Sequence, residues 1–248
     1  MKIPTPCAIC FLEGRQREAE EGKNVPIIML PGVMTDNGYI NVTCPKGHQT
    51  TVIYDERKFE LLFQSACHTF NDGYEREAVS GFSASLERLY EFYIRVVCRA
   101  AKIDQSVLEK TWKHVSRQSE RQFGCFIILY ALHTGKAFDF DKKQVEFRNK
   151  VVHQGYIPKT EEVMEYGAEV WRIKRMLWTH LKDVYPDILN EEIEAETAMI
   201  KKKASTKTPP LIFKATVVNV NSNTNTAYEI KDFEGFLEGI KTRWNCDI

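Results

Sequence analysis

The sequence has no excess charge of either sign: Lys plus Arg and Asp plus Glu number 34 each in 248 residues. That balance excludes a global electrostatic pull towards nucleic acid, so any affinity for a polyanion has to come from local patches. No uninterrupted apolar stretch approaches the roughly 20 residues of a membrane-spanning helix, and no apolar run near the N-terminus resembles a signal peptide. The expectation is a cytoplasmic protein with no membrane partner. There is no internal repeat and no phosphate-binding glycine loop. A disulfide framework is not expected either, because in a reducing compartment the seven cysteines read as metal ligands or buried thiols.

With 43% hydrophobic residues, the chain is long enough for one sizeable core plus an accessory module. The texture changes along it. Residues 1–54 are rich in Gly, Pro, Thr and β-branched residues, with strands expected at 25–29, 39–43 and 50–54. Within them stand Cys7-Ala-Ile-Cys10 and Cys44-Pro-Lys-Gly-His48. Two chelating pairs of this spacing, each at a turn, match a zinc ribbon holding a structural Zn²⁺ on three cysteines and one histidine. A module this short buries too little apolar surface to fold alone, and a tetrahedral metal supplies the missing free energy.

Residues 55–203 turn to helical patterning. Phe59, Leu62, Phe63, Ala66, Cys67 and Phe70 recur at three and four residues, and a second helix over 74–101 carries Phe82, Leu86, Leu89, Tyr90, Tyr93, Ile94 and Val97. A shorter helix is expected over 105–117. The run FGCFIILYALH, 123–133, is too short to span a membrane and is expected to be the central buried helix. His133 and Tyr130 read as hydrogen-bonded core residues, and His68, His114 and His180 as structural or solvated. Thr160 reads as the N-cap of a helix that Pro186 stops; its basic run Arg172, Lys174, Arg175 reads as a solvated face. A further helix over 187–202 leads to residues 204–248, expected to form a linker, a strand over 211–220 paired with 228–230, and a short helix with Phe233, Phe236, Leu237, Ile240 and Trp244.

The stretch with chemistry in it is FRNKVVHQGYIP, 147–158. On a helix Asn149 and His153, four apart, share a face, and Val145, Phe147, Val151 and Val152 form an apolar arc with Arg148 in its middle. A guanidinium cannot lose its proton, so in that position it has to meet a carboxylate, a phosphate or water in a cleft. Gly155 and Pro158 end the helix and leave the His153 imidazole on its last turn.

This R-N-x3-H pattern, together with GYEREAVSGFSASLERLYEFYIRVV at 73–97, resembles the HEPN superfamily of helical bundles, over roughly the middle half of the chain. The resemblance implies a HEPN-like multi-helix bundle, so that with the readings above the chain is expected to be mainly α: that bundle, a small N-terminal β zinc ribbon and a short C-terminal β-hairpin and helix. It also implies a metal-independent endoribonuclease that cleaves RNA by attack of the 2′-OH to a 2′,3′-cyclic phosphate, with His153 as acid/base, Arg148 as phosphate cation and Asn149 as orienting group. Glu87, on the second helix, is the residue expected to hold Arg148, the alternative being a solvated carboxylate; a supporting Tyr156 stands three residues after the histidine where the family has a tyrosine two after. One Arg and one His per chain imply a homodimer whose two motifs line one cleft, and the function implied is the toxic effector of a phage-defence or toxin–antitoxin system with an antitoxin or defence partner. Two other readings stay open: an inactive HEPN module that binds RNA, a nucleotide or a partner, and a zinc-ribbon regulator whose helices only dimerise.

Overall fold

A computed structural model describes residues 2–22, 27–204, 209–213 and 232–243. It is mainly helical, and its backbone divides into two compact units. Among the described residues no helix is long and apolar enough to cross a membrane.

The first unit holds residues 1–56 with 194–219 and 243–248. Strand β1, Lys2–Pro6, pairs antiparallel with β2, Met29–Val33. Strands β3, Tyr39–Thr43, and β4, Gln49–Tyr54, form an antiparallel hairpin, to which β5, Leu211–Phe213, adds in parallel beside β4. Ile3, Ile40, Val42, Val52 and Ile53 are buried, and the Tyr54 hydroxyl is tied to Thr5 Oγ1 at 2.8 Å and donates to the Pro4 carbonyl at 3.0 Å. Two features depart from the sequence expectation. The module is not purely β, since helix α1, Ala8–Glu21, stands between β1 and β2, with its C-terminal Gly22 left-handed. The strand expected over 25–29 begins only at Met29, and residues 25 and 26 lie outside the described residues. The remainder of the expected strand to residue 220, the segment 228–230 and Trp244 also lie outside them.

The second unit, residues 57–193 and 220–242, is built on α3, Glu75–Ala100, which touches each of the other long helices around it: α2 (Lys58–Asn71), α4 (Gln105–Val115), α5 (Ser119–Thr134), α6 (Lys142–Gln154) and α7 (Thr160–Val184). Its 26 residues bury fourteen side chains, Phe82, Leu86, Leu89, Tyr93 and Val97 among them. A ring cluster closes one part of the core: Phe63 lies 5.3 Å from Phe82 and 5.7 Å from Trp171, and Trp171 lies 4.7 Å from Phe236. Phe236 belongs to α9, Phe233–Arg243, whose Phe233, Phe236, Leu237 and Ile240 are buried as their spacing predicts. Each such ring contributes on the order of 2–3 kcal/mol.

Three local expectations are corrected. Helix α5 is not a central buried helix: Phe126 and Tyr130 are buried, but Ile128 is 68% and Leu132 74% exposed, so the apolar run is amphipathic only through what packs on it. Lys174 is not part of a solvated face. It falls on the buried stripe of α7 with Trp171, Leu177 and Leu181, its ammonium 4.8 Å from the Phe63 ring. The N-cap of α7 is Lys159, one residue before Thr160, and Glu162 Oε2 accepts from its backbone N–H at 2.8 Å, the reciprocal half of a capping box. Pro186 ends α7 by starting α8, Pro186–Ala204, where its missing N–H has no helical role.

Candidate functional site

Helix α6 is framed by two local devices. Asp141 accepts from the Lys143 N–H at 2.9 Å as N-cap, and Gly155, at φ 71°, supplies the left-handed residue that lets the chain turn back onto the Lys150 carbonyl. Between them Val151 is fully buried against the bundle, which orients the rest of the helix. Arg148 is half-buried and its guanidinium is held from two directions. Nη2 donates to Glu87 Oε1 at 2.9 Å, and Nη1 donates to Asn149 Oδ1 at 3.0 Å. Nη1 also lies 3.2 Å from His153 Nε2. A guanidinium has no acceptor, so in this contact Nε2 presents its lone pair and the ring proton is on Nδ1. Three of the five guanidinium N–H groups are thus engaged, and among the described residues Nε–H and one N–H of Nη2 have no protein partner. His153 itself is exposed on the last turn.

Arg148, Asn149 and Glu87 line a cavity of about 150 Å³. Its walls include Ser83 and Tyr90, at four before and three after Glu87 on the same stripe of α3, and Tyr166 of α7. Ser83 Oγ and Tyr166 Oη are hydrogen-bonded at 3.0 Å, and burial, offset in part by that bond, pushes the Tyr166 phenol up to about 12. Tyr90 is different. Its hydroxyl is buried with no hydrogen-bond partner among the described residues, and burial pushes its ionisation far above the ordinary value. The sequence reading passed over Tyr90 as a core residue, although its i+3 spacing from Glu87 carried the signal.

Tyr156 is not brought to the imidazole. Its hydroxyl donates to Glu162 Oε2 at 2.9 Å, a bond that raises the phenol, while the Lys159 N–H is the main influence lowering Glu162. Elsewhere in the helices, His133 Nδ1 is 2.6 Å from Tyr185 Oη, and burial lowers both His68 and His180.

A second constellation lies in the first unit. Cys7 is the N-cap of α1 and Cys10 sits in its first turn, while Cys44 and His48 flank the β3–β4 turn, where Gly47, at φ 82°, closes a bond from its N–H to the Cys44 carbonyl at 2.8 Å. The four ligand atoms lie within 4.8 Å of one another, an arrangement that can hold a metal ion. Cys10 Sγ is 3.5 Å from His48 Nδ1 and 3.9 Å from Cys44 Sγ, and Cys7 Sγ is 3.9 Å from His48 Nδ1. Burial first, then hydrogen bonding with Cys7 and Cys44, push the Cys10 thiol up to about 11. At Cys44 burial is overcome by the backbone N–H groups of His48 and Lys46, and the thiol is lowered. Crowded thiols of this kind are the chemistry that a central cation relieves.

No family model, no curated protein and no solved structure matches this chain.

Proposed function

We propose that this chain is a HEPN-type endoribonuclease, the toxic effector of a phage-defence or toxin–antitoxin system. What carries the reading is a cation fixed by Glu87 and Asn149, with two N–H groups to spare, 3.2 Å from the Nε2 of an exposed imidazole. Two N–H groups on one planar fork suit two oxygens of a phosphate. An RNA phosphodiester bound there takes the place of the Arg148–His153 contact. His153 Nε2 accepts the proton of the 2′-OH, the 2′-oxygen attacks phosphorus, and Arg148 holds the non-bridging oxygens as their charge grows. The P–O5′ bond breaks and the 5′-oxygen takes a proton, leaving a 2′,3′-cyclic phosphate and a 5′-hydroxyl. Base and acid call for two imidazoles, and His153 is the only one beside Arg148, so the second comes from another copy of the chain in a homodimer.

The Cys7, Cys10, Cys44, His48 set is read as a structural zinc site. A tetrahedron with bonds of zinc–thiolate and zinc–imidazole length has edges of about 3.5–3.8 Å; three of the six separations, at 3.5–3.9 Å, are close to that, and all lie within 4.8 Å. With protein on all four corners, the metal staples α1 to the hairpin and no catalytic step passes through it.

The test is induced expression in a bacterium together with cleavage of total RNA by the purified protein. Arg148→Ala and His153→Ala are each expected to lower cleavage by about 100-fold or more and to restore growth, with thermal midpoints unchanged. Glu87→Gln leaves Arg148 in place but loosely held, and a cleavage loss of about tenfold, mostly in kcat, is expected. Full toxicity in both alanine variants disposes of the enzyme and leaves a binding module.

A further inference from the structure

The cavity beside Arg148 has no part in the transesterification, yet it adjoins the group proposed to hold the phosphate. We infer that it is a base subsite, and that it takes a single-ring base: the pyrimidine of the nucleoside whose 2′-oxygen attacks. The inference rests on the endoribonuclease reading and adds its sequence preference.

Size, lining and two uncommitted polar groups lead to it. An apolar protein cavity of about 150 Å³ holds a single six-membered ring, and this one has that volume. A second fused ring would have to stand in its opening. Its walls are apolar and aromatic, with Leu86, Phe123 and Phe140 among them, which suits the face of a base. Polar surface is the smaller part of its lining, and Arg148, Asn149 and Glu87 belong to it. Asn149 uses Oδ1 on Arg148 and keeps its amide N–H groups free, and Glu87 uses Oε1 and keeps Oε2 free. Tyr90, 5% exposed, contributes wall and no accessible polar atom. A pyrimidine carries both acceptors and donors on its edge, so amide and carboxylate each find a complement. Arg148, in the cavity wall, lies 3.2 Å from the His153 Nε2 that takes the 2′ proton.

The experiment titrates the full-length protein with 3′-CMP, 3′-UMP, 3′-AMP and 3′-GMP by calorimetry and maps the 3′ ends of fragments from a mixed-sequence RNA. Pyrimidine nucleotides are expected to bind at least about tenfold more tightly than purine nucleotides, and fragments to end in pyrimidine 2′,3′-cyclic phosphates. Val145→Phe fills the mouth from a position 37% exposed, where the fold tolerates it, and is expected to erase the tenfold preference. Arg148→Ala is expected to weaken all four nucleotides alike. Equal binding of the four, a purine preference, no nucleotide binding at all, or a Val145→Phe variant that keeps the preference overturns the subsite. Cleavage without base preference overturns the subsite alone and leaves the nuclease standing. A pyrimidine preference that Val145→Phe erases, in a protein that cleaves no RNA, upholds the cavity as a pyrimidine site and removes the enzyme.

Discussion

A single side chain sets the clearest pH dependence in this molecule. Lys174 is 5% exposed, with its ammonium 4.8 Å from the ring of Phe63 and 5.8 Å from those of Phe59 and Trp171. Burial holds its ionisation below the ordinary 10.5, with Glu60 pulling partly the other way. Between the depressed value and 10.5 the unfolded chain binds the proton and the folded one does not, so this lysine adds stability as pH rises through that window and costs most below it. Lys174→Met removes the effect. Melting curves of both proteins from pH 7 to 10 are expected to show the variant's advantage shrinking as pH rises; an advantage that grows contradicts the assignment. The residue is also a lesson in legibility. Positions 171, 174, 177 and 181 lie on one face of any helix, yet between Arg172 and Arg175 the lysine reads as one of a charge run. At the candidate site the reverse holds. The shared face of Asn149 and His153 follows from spacing alone, whereas Glu87, 61 residues away from Arg148 in sequence, is not fixed by spacing and was reached through resemblance.

Elements were legible where a periodic apolar stripe faces one partner, and not where that condition fails. Helices α2 and α3 satisfy it, and so does α9. Helix α1 has only Ala8 fully buried among its fourteen residues, so it offers no stripe to read, and β1, KIPTP, carries two prolines that argue against a strand except at an edge, which is where it lies. Helix α5 fails differently: a run of continuous hydrophobicity has no direction, and which half is covered depends on neighbours. The Cys7, Cys10, Cys44 and His48 cluster joins two of these elements, the start of α1 and the turn of the β3–β4 hairpin, and an ion held there would tie one to the other. Purified protein is expected to contain about one zinc per chain by mass spectrometry. Removal by a strong chelator, or Cys44→Ser, is expected to lower the thermal midpoint of the first unit sharply, since structural zinc contributes on the order of 10 kcal/mol in small zinc modules. The RNA cleavage proposed for the helical unit is expected to survive metal removal so long as that unit keeps its own transition. An unchanged midpoint after complete metal removal rules out a structural ion.

At the scale of the whole molecule the question is copy number. One chain offers one guanidinium and one imidazole at the site, and in-line displacement at phosphorus calls for a base on the 2′-oxygen and an acid on the 5′-oxygen, on opposite sides of the phosphate. Two copies meeting at their α6 ends satisfy this with no further residue. The side chains that such a meeting would cover are already apolar: Ile157 is 78% exposed and Tyr156 37%, both within four residues of His153. A charge at Ile157 leaves the fold alone and is incompatible with a desolvated contact between copies. Ile157→Glu is therefore expected to convert a dimer to a monomer in analytical ultracentrifugation and to abolish cleavage while Arg148 and His153 remain. Leu132→Glu, on the equally exposed apolar side of α5, is the control, expected to change neither. Mixing an Arg148→Ala chain with a His153→Ala chain then separates the roles. If one motif supplies the base and the other the acid, the mixed dimer regains little, because each of its two motifs lacks a group. A monomeric wild type that cleaves RNA at full rate, unaffected by Ile157→Glu, eliminates the two-copy site and requires the acid to be found within a single chain.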